Sequence, residues 1–436
     1  MKRLALSLTA LLGVLIAILV IRTATFRSRQ LHPPPAPQLQ LDQDAVMTRL
    51  SEAIRLNTVS IESSKKGSDT EPFRNFHAFL VKSFPRIHTQ LTKEIVNDYS
   101  LLYTWKGKND RLKPILLMAH LDVVPVDPDT ENSWTHGPFS GQVGDGYVWG
   151  RGTIDNKASL LGILEAVERL LADGFQPQRT VYLAFGHDEE TGGQQGAAQI
   201  AAMLGGRGVQ IEAVIDEGSG IIHGIIPDVA APVAMIGIGE KGYLTLELTV
   251  SSPGGHSSLP PSESAIGILS RAIDKLERSP FPSRVNDAVK EFFNFVGPEL
   301  SWDKKLLLAN LWLTELWLER ELAKSPLTDS MIRTTKATTI FHAGDKENVL
   351  PGRAQATVNF RLISGDTVDA VIARVRRAIN DARVKITPLP FPIDPSPISS
   401  VDAEGFKIVS RTISEVAPET IVAPFLTIAA TDTRHY

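Results

Sequence analysis

The chain has 436 residues, which is enough for two or three domains with a large hydrophobic core. Its formal net charge of -4 argues against a general nucleic-acid-binding protein, because such proteins usually carry an excess of basic residues that balances the phosphates. The absence of cysteine excludes thiol catalysis, a disulfide framework and a zinc finger.

The N-terminus begins with an uncharged apolar run, 4–21, which is preceded by Lys2 and Arg3 and is about long enough to cross a bilayer. Residues 1–29 are typical of a long signal peptide or an uncleaved signal anchor, and the poor cleavage pattern after the run favours the anchor. A buried helix of the globular part is the alternative. The proline-rich stretch 30–41 predicts a stiff linker. We therefore expect an extracytoplasmic protein, secreted or anchored in a membrane through this segment if it is uncleaved.

Helical and strand patterns alternate over residues 42–241, which predicts an α/β core with a mostly parallel sheet and helices on both faces. The charged turn 106–111 predicts a hairpin between the first two strands. The predicted helices are 42–56, 73–84, 158–171 and 193–204, and the predicted strands are 101–105, 115–118, 180–186 and 209–216.

The pattern changes at residue 242, where strict alternation over 243–250 predicts a half-exposed antiparallel strand. We interpret residues 242–386 as an inserted α+β domain and residues 387–436 as the return of the core. The insert contains an apolar helix over 302–322 with Trp302, Trp312 and Trp317. Packing against the insert is the simpler interpretation of this helix, and a lipophilic wall or membrane-facing lid is the alternative.

Three clusters of polar side chains lie on loops or turns that follow predicted core strands. Because the carboxyl ends of parallel strands meet at one edge of the sheet, we expect these side chains to lie close together there. His120 is a candidate metal ligand. Asp122 could orient its ring by accepting a hydrogen bond from the ring nitrogen that does not bind the metal. Asp155 follows a glycine turn and is either a ligand or the N-cap of the next helix. Of the adjacent carboxylates Glu189 and Glu190, one could bind metal while the other acts as a general base.

A fourth predicted strand ends at Asp216 and Glu217, which could supply one further carboxylate. One imidazole and three or four carboxylates suit two divalent cations that share a bridging carboxylate, with Zn²⁺ as the first choice. Two such cations can polarise an amide carbonyl and lower the pKa of water, so the cluster predicts a metal-dependent hydrolase.

The insert carries its own candidates. His256 follows a glycine turn and could stabilise a developing oxyanion. Asn348 and Arg361 could bind a substrate carboxylate, because the planar guanidinium pairs bidentately with that group.

Together these residues resemble the aminoacylase and carboxypeptidase family of co-catalytic zinc exopeptidases. The likeness is greatest to its carboxypeptidase S and secreted N-fatty-acyl-amino-acid synthase/hydrolase branches. The family motifs are His120-Leu-Asp122, Gly152-Thr-Ile-Asp155, Asp188-Glu-Glu190, Gly254-Gly-His-Ser257 and Asn348-Val-Leu-Pro351.

The resemblance implies a zinc-exopeptidase core with two Zn²⁺ and a ferredoxin-like inserted lid that can form a homodimer. It implies that His120 binds one zinc, that Asp155 bridges both and that Glu190 binds the second. The remaining implied roles are Glu189 as general base, Asp122 as the residue orienting His120, Asp216 in preference to Glu217 as a ligand, His256 as the oxyanion donor, and Arg361 and Asn348 as substrate-binding residues.

The function that the resemblance implies is cleavage of the amide bond to a C-terminal amino acid. The substrate would be a small molecule or peptide with a free C-terminal carboxylate, and the enzyme a carboxypeptidase or an N-acyl-amino-acid hydrolase that can also run as a synthase. The alternatives are a non-catalytic family member acting as a binding module and a cytoplasmic deacylase. The family's last zinc ligand is a histidine beyond the motif 431–435, so we expect a truncated sequence in which one zinc lacks a ligand.

Overall fold

A computed structural model describes residues 2–60, 70–226 and 229–436. The chain divides into two compact units. The first unit comprises Ala36–Gly218 and Thr431–Tyr436, and the second comprises Met1–Pro35 and Ser219–Ala430. The second unit begins with helix α1, Lys2–Thr25, which is long and apolar enough to cross a membrane. Its apolar window is not buried in the protein, so the alternative of a buried core helix is wrong.

The first unit contains five helices and seven strands among the described residues. In chain order they are α2 Gln43–Arg55, α3 Glu71–Ser83, α4 Pro85–Gln90, β1 Thr92–Val96, β2 Ser100–Trp105, β3 Ile115–His120, β4 Gln142–Gly144, β5 Tyr147–Trp149, α5 Ala158–Ala172, β6 Val181–Gly186, α6 Ala197–Gly206 and β7 Ala213–Ile215.

The main sheet of the first unit has the order β1-β2-β6-β3-β7. Strands β6, β3 and β7 are parallel, whereas β1, β2 and β6 are antiparallel. The predicted hairpin between β2 and β3 is wrong, because β6 lies between them. The hairpin partner of β2 is β1, and the turn between them passes through Asn97 and Asp98, whose positive φ angles suit a tight hairpin turn.

Apolar side chains on both faces of this sheet are covered by helices. On one face, Leu101, Tyr103 and Leu183 pack with buried side chains of α2, α3, α4 and α5. On the other face, Leu116 and Met118 pack with α6. Because side chains alternate along a strand, each central strand contributes to both clusters. The predicted α/β class is therefore confirmed.

The second unit contains the remaining helices and strands of the described chain. They are β8 Ile221–Ile222, β9 Val233–Glu240, β10 Gly242–Ser251, β11 Gly255–His256, α7 Ala265–Glu277, α8 Asp287–Val296, α9 Trp302–Ala309, α10 Leu311–Leu322, α11 Pro326–Ile332, β12 Thr335–Ala343, β13 Val349–Leu350, β14 Arg353–Leu362, α12 Val368–Ile379, β15 Lys385–Pro388, α13 Glu404–Val416 and β16 Ile421–Thr427.

A four-stranded antiparallel sheet, β12-β14-β10-β15, forms the predicted inserted α+β fold. Its strands and the helices α7 and α12 follow the order β-α-β-β-α-β, which is the ferredoxin-like arrangement. Leu244, Leu248 and Val358 lie in the core between this sheet and the two helices. A separate sheet, β16-β9-β8, packs with α8 and α13. The predicted single helix over 302–322 is two helices, because Asn310 has non-helical dihedral angles.

Candidate metal centre

His120 is the last residue of β3 and is 1% exposed. Its Nδ1 lies 3.0 Å from the backbone oxygen of Asp122 and 3.3 Å from the Oδ1 of Asp122. Its Nε2 lies 2.9 Å from the Oδ1 of Asp155 and 3.4 Å from the Oε2 of Glu217. Burial lowers the pKa of His120, but hydrogen bonds with these three carboxylates outweigh it and hold the pKa far above its usual range.

Asp122 is fully buried and joins two loops of the site. Its Oδ1 accepts a hydrogen bond from the backbone N–H of Glu189 (3.2 Å), and its Oδ2 accepts one from the N–H of Glu190 (3.1 Å). The Ser60 hydroxyl donates to the same Oδ2 over 2.9 Å. Asp122 therefore positions the turn that carries both glutamates in addition to contacting His120, a contribution that the spacing of the sequence motif did not reveal.

Asp155 lies in the kinked turn Thr153–Lys157 and does not cap the following helix. Helix α5 begins at Ala158, and its N-cap position is occupied by Lys157 without a side-chain cap, so the N-cap alternative is wrong. Gly152 enters this turn at φ 84°, and a Cβ there would lie 2.5 Å from Val123 Cγ1. The hydrogen bond from His120 lowers the pKa of Asp155.

Glu189 and Glu190 lie in a single 3-10 turn, Glu189–Thr191, directly after β6. Burial, followed by the neighbouring charge of Asp432, raises the pKa of Glu189 to about 9. Burial and the charge of Asp155 raise the pKa of Glu190 to about 7. The Oε1 of Glu190 is buried and has no hydrogen-bond partner among the described residues. These features are those of carboxylates that lack a counter-charge.

Of the two acids that follow β7, the structure brings Glu217 to His120. Glu217 accepts a hydrogen bond from the Asn156 side chain and lies near His120 Nε2. Ligand atoms of His120, Asp155 and Glu190 lie within 4.8 Å of one another, and so do those of His120, Glu189 and Glu217. Asp216 belongs to neither group; its charge acts on Asp432 and Tyr436.

Asp432 was missed as a site residue by sequence reasoning. It is 3% exposed. It packs against Gly186, the last residue of β6, and against Gly193 in the loop that carries Glu189 and Glu190, which we call the glutamate loop. A Cβ at Gly193 would lie 2.0 Å from its Oδ1, and a Cβ at Gly186 would lie 2.9 Å from its Oδ2. His435 lies nearby, with its Nε2 3.3 Å from the backbone oxygen of Gly192. The pair of glycines after Glu190 was the only local signal of this close approach.

The remaining candidates belong to the second unit. His256 is exposed and lies in β11, which pairs with β13. Next to this pair, the backbone oxygen of Asn348 accepts a hydrogen bond from the Ser257 N–H (3.0 Å). The Nδ1 of His256 lies 2.8 Å from the Ser258 hydroxyl. The guanidinium of Arg361 lies 4.8 Å from the centre of the Tyr243 ring. His256 and Asn348 are thus brought together, and Arg361 is held on β14.

The donor set of the first unit fits a divalent cation. Four carboxylates and one imidazole converge. The raised pKa values of Glu189 and Glu190 come from burial and from the charges of neighbouring carboxylates, both of which a cation would offset. Imidazole nitrogen and carboxylate oxygen are ligands that Zn²⁺ accepts, and other divalent ions share this preference.

Comparison with known proteins gives concordant matches. Residues 116–436 match the family described as Peptidase family M20/M25/M40. The chain is 44% identical over 435 residues to a probable carboxypeptidase S-like 2 of Dictyostelium discoideum, covering 98% of this chain and 83% of that protein. It is 40% identical over 441 residues to the N-fatty-acyl-amino acid synthase/hydrolase PM20D1 of Xenopus tropicalis, covering 98% of this chain and 84% of that protein.

Among solved structures, the fold is similar to an M20 family metallo-carboxypeptidase from Sulfolobus solfataricus. The TM-score is 0.63 at 21% identity, and the match covers 89% of this chain and 87% of that chain.

Proposed function

The chain belongs to peptidase family M20/M25/M40, and from this membership we propose that it is a di-zinc amidohydrolase that releases a C-terminal amino acid. The membership establishes a hydrolase that acts on amide C–N bonds. The observation that carries the finer proposal is the convergence of His120 with Asp155, Glu189, Glu190 and Glu217.

The residues that would hold the cations are His120, Asp155, Glu190 and one acid of the pair after β7. The position of Glu217, 3.4 Å from His120 Nε2, supports it over Asp216. Bound cations would polarise the scissile carbonyl and lower the pKa of the attacking water. Asp122 is proposed to hold His120 in position while it fixes the glutamate turn.

Glu189 is proposed as the general base. It would take a proton from the attacking water and then deliver that proton to the nitrogen of the leaving amino acid. Burial raises the pKa of Glu189 in the metal-free protein, and the positive charge of bound cations would lower it toward neutral pH, where the group can both accept and donate a proton. His256 is proposed to stabilise the oxyanion, and Arg361 and Asn348 to bind the substrate carboxylate.

The substrate class is proposed from the names of the relatives. The printed names of relatives include carboxypeptidase S and N-fatty-acyl-amino acid synthase/hydrolase. We propose an N-acyl amino acid with a long acyl chain, which water converts to a fatty acid and a free amino acid. Run in reverse at high product concentration, the same site would condense these two products and release water.

The proposed organisation keeps residues 42–241 and 387–436 as the catalytic core and residues 242–386 as an inserted lid that can mediate a homodimer. The protein is proposed to act outside the cytoplasm, secreted or held by α1. This helix is compatible with either a signal peptide or a membrane anchor.

The experiment that tests the proposal compares N-oleoyl amino acids with dipeptides as substrates of the full chain. Activity should disappear after chelation, return with Zn²⁺ and be higher on the N-oleoyl compounds, and elemental analysis should give about two zinc ions per chain. Absence of bound metal together with absence of activity would instead support the non-catalytic binding module. Activity restricted to dipeptides would contradict the substrate class while leaving the metal site intact.

A further inference from the structure

The last turn of α1 is bound to the folded second unit. Thr23 is fully buried, and the Asn310 side chain, 1% exposed, donates to the backbone oxygen of Leu19 (3.3 Å) and to the Thr23 hydroxyl (3.4 Å). The Arg22 Nε donates to the backbone oxygen of Ala309 over 3.2 Å. Hydrogen bonds between α1 and the break between α9 and α10 therefore fix this end of α1.

The segment after α1 is also part of the fold. The Gln30 amide donates to the backbone oxygens of Phe295 (3.2 Å) and Val422 (3.1 Å), and its Oε1 accepts from the Val422 N–H (2.8 Å). Phe26 packs against the apolar cluster that contains Leu308. Removal of α1 itself would take away the groups of Leu19, Arg22 and Thr23 that bind Ala309 and Asn310, so the structure favours retention of α1.

The exposed part of α1 matches a bilayer in length. From Lys2 to Leu19 the helix would measure about 27 Å at about 1.5 Å per residue, close to the roughly 30 Å of a hydrocarbon core. Leu8 is 59% exposed and Leu11 is 66% exposed, which shows how little of this part the protein covers. If α1 crosses a bilayer, its bound last turn brings the junction of α9 and α10 to the membrane boundary.

Helix α10 exposes apolar side chains at this junction. Its tryptophan face consists of Trp312, Leu313, Leu316 and Trp317, which are 55%, 53%, 71% and 45% exposed. These positions follow i, i+1, i+4 and i+5 and so lie on one side of the helix. Arg320, also exposed, continues the same side by one turn.

The opposite side of α10 is already occupied. Leu318 is buried, and Leu311 and Leu322 pack with it against the cluster that includes Val289. The tryptophan face is therefore not a core surface. It is continuous with the base of α1, because the Trp312 indole N–H donates to the Oδ1 of Asn310 (3.4 Å), the residue whose amide binds α1.

We propose that the tryptophan face lies in the interfacial layer of the bilayer that α1 crosses, so that the second unit is held against the membrane surface. Tryptophan is enriched at this depth because its ring is apolar and its N–H is polar. Arg320 on the same side suits anionic headgroups. The inference builds on the membrane anchorage proposed above and is independent of catalysis, so failure of the metal-site experiment would not affect it.

Single cysteines can test the proposal, since the natural chain has none. Leu316→Cys and, as a matched control, Ile408→Cys are each labelled with an environment-sensitive fluorophore in the full chain. Ile408 is an exposed aliphatic residue on α13 of the same unit, 47% exposed. The labelled proteins are reconstituted into phosphatidylcholine vesicles that contain phosphatidylserine, with and without bromine on the acyl chains.

The Leu316 probe should be quenched severalfold more strongly by brominated lipid than the Ile408 probe, and severalfold less by aqueous iodide. A second probe at Leu313 should behave like the one at Leu316. Equal quenching of the Leu316 and Ile408 probes would overturn the proposal. Disulfide-linked dimers through Leu316→Cys, with protection from iodide but no lipid quenching, would also overturn it, because a second copy of the chain would then cover the face.

Discussion

Substitution of Asp122 by Asn should weaken zinc binding without unfolding the protein. Asp122 accepts hydrogen bonds from the N–H groups of Glu189 and Glu190 and from the Ser60 hydroxyl. An amide of the same shape has one acceptor oxygen, so at least one backbone N–H would face a donor. A hydrogen bond to a charged group contributes about 1.5–3 kcal/mol, and about 1.4 kcal/mol corresponds to a factor of ten.

The expected loss is therefore about 10- to 100-fold in zinc affinity or in kcat/KM, which is also the usual effect of changing a residue that orients a metal ligand. Zinc titration by calorimetry and steady-state kinetics on an N-oleoyl amino acid would measure it. Asp129→Asn, an exposed acid in the same unit, serves as the control and should behave like the wild type. Wild-type zinc affinity and kcat/KM in a folded Asp122→Asn protein would refute the positioning role.

Three further predictions concern the glutamate turn. Glu189→Gln should keep its zinc but lose about 10²- to 10⁴-fold in kcat, whereas Glu190→Gln should lose zinc. Metal analysis and single-turnover rates measured on both variants would separate the two effects. Equal metal loss in both variants would contradict the proposed roles. Zinc affinity should rise between pH 6 and pH 7, by up to about tenfold per pH unit for each proton released, because the raised pKa of Glu190, about 7, leaves this proposed ligand protonated at low pH in the metal-free protein. Calorimetry in buffers of different ionisation heat would detect this release, and a pH-independent Kd would count against it. Gly193→Ala should abolish activity, since its Cβ would meet Asp432, while Gly192→Ala, also at positive φ but in open space, should lose far less.

Periodicity in the sequence was sufficient to predict most elements that carry the site. The nearly continuous apolar runs of β2, β3 and β6 follow from burial on both faces of the sheet, and the helical pattern of α5 follows from burial of one face of that helix. The prediction that polar residues at strand ends converge rested on the parallel pairing of β3 with β6, which the structure confirms. This is why His120 and the two glutamates could be linked although they are far apart in sequence.

Strand order could not be predicted from local pattern alone. The charged connection after β2 looks like a hairpin turn, but it is long enough to pass over one strand, and β6 occupies the place beside β2. Strand β7 posed a related difficulty. Only Ala213–Ile215 pair with β3, so Asp216 and Glu217 lie beyond the paired strand. The rule that successive side chains of a strand point to opposite faces therefore could not decide which of the two acids faces the site.

The contribution of Asp432 was beyond sequence reasoning for a different reason. It reaches the site from the end of the chain, whereas the glutamate loop is more than two hundred residues earlier, and only packing brings Gly193 against its carboxylate. The same packing raises the pKa of Glu189, because Asp432 is the largest electrostatic influence on that group after burial. The acid–base strength of the proposed base is therefore set jointly by a local turn and by a distant carboxylate. Burial, followed by the charge of Asp216, also raises the pKa of Asp432 well above its usual range, so its charge acts on Glu189 only at pH values where Asp432 is ionised. At those pH values Asp432→Asn, which removes the charge but keeps the shape, should lower the pKa of Glu189 and shift the acidic limb of the activity profile to lower pH.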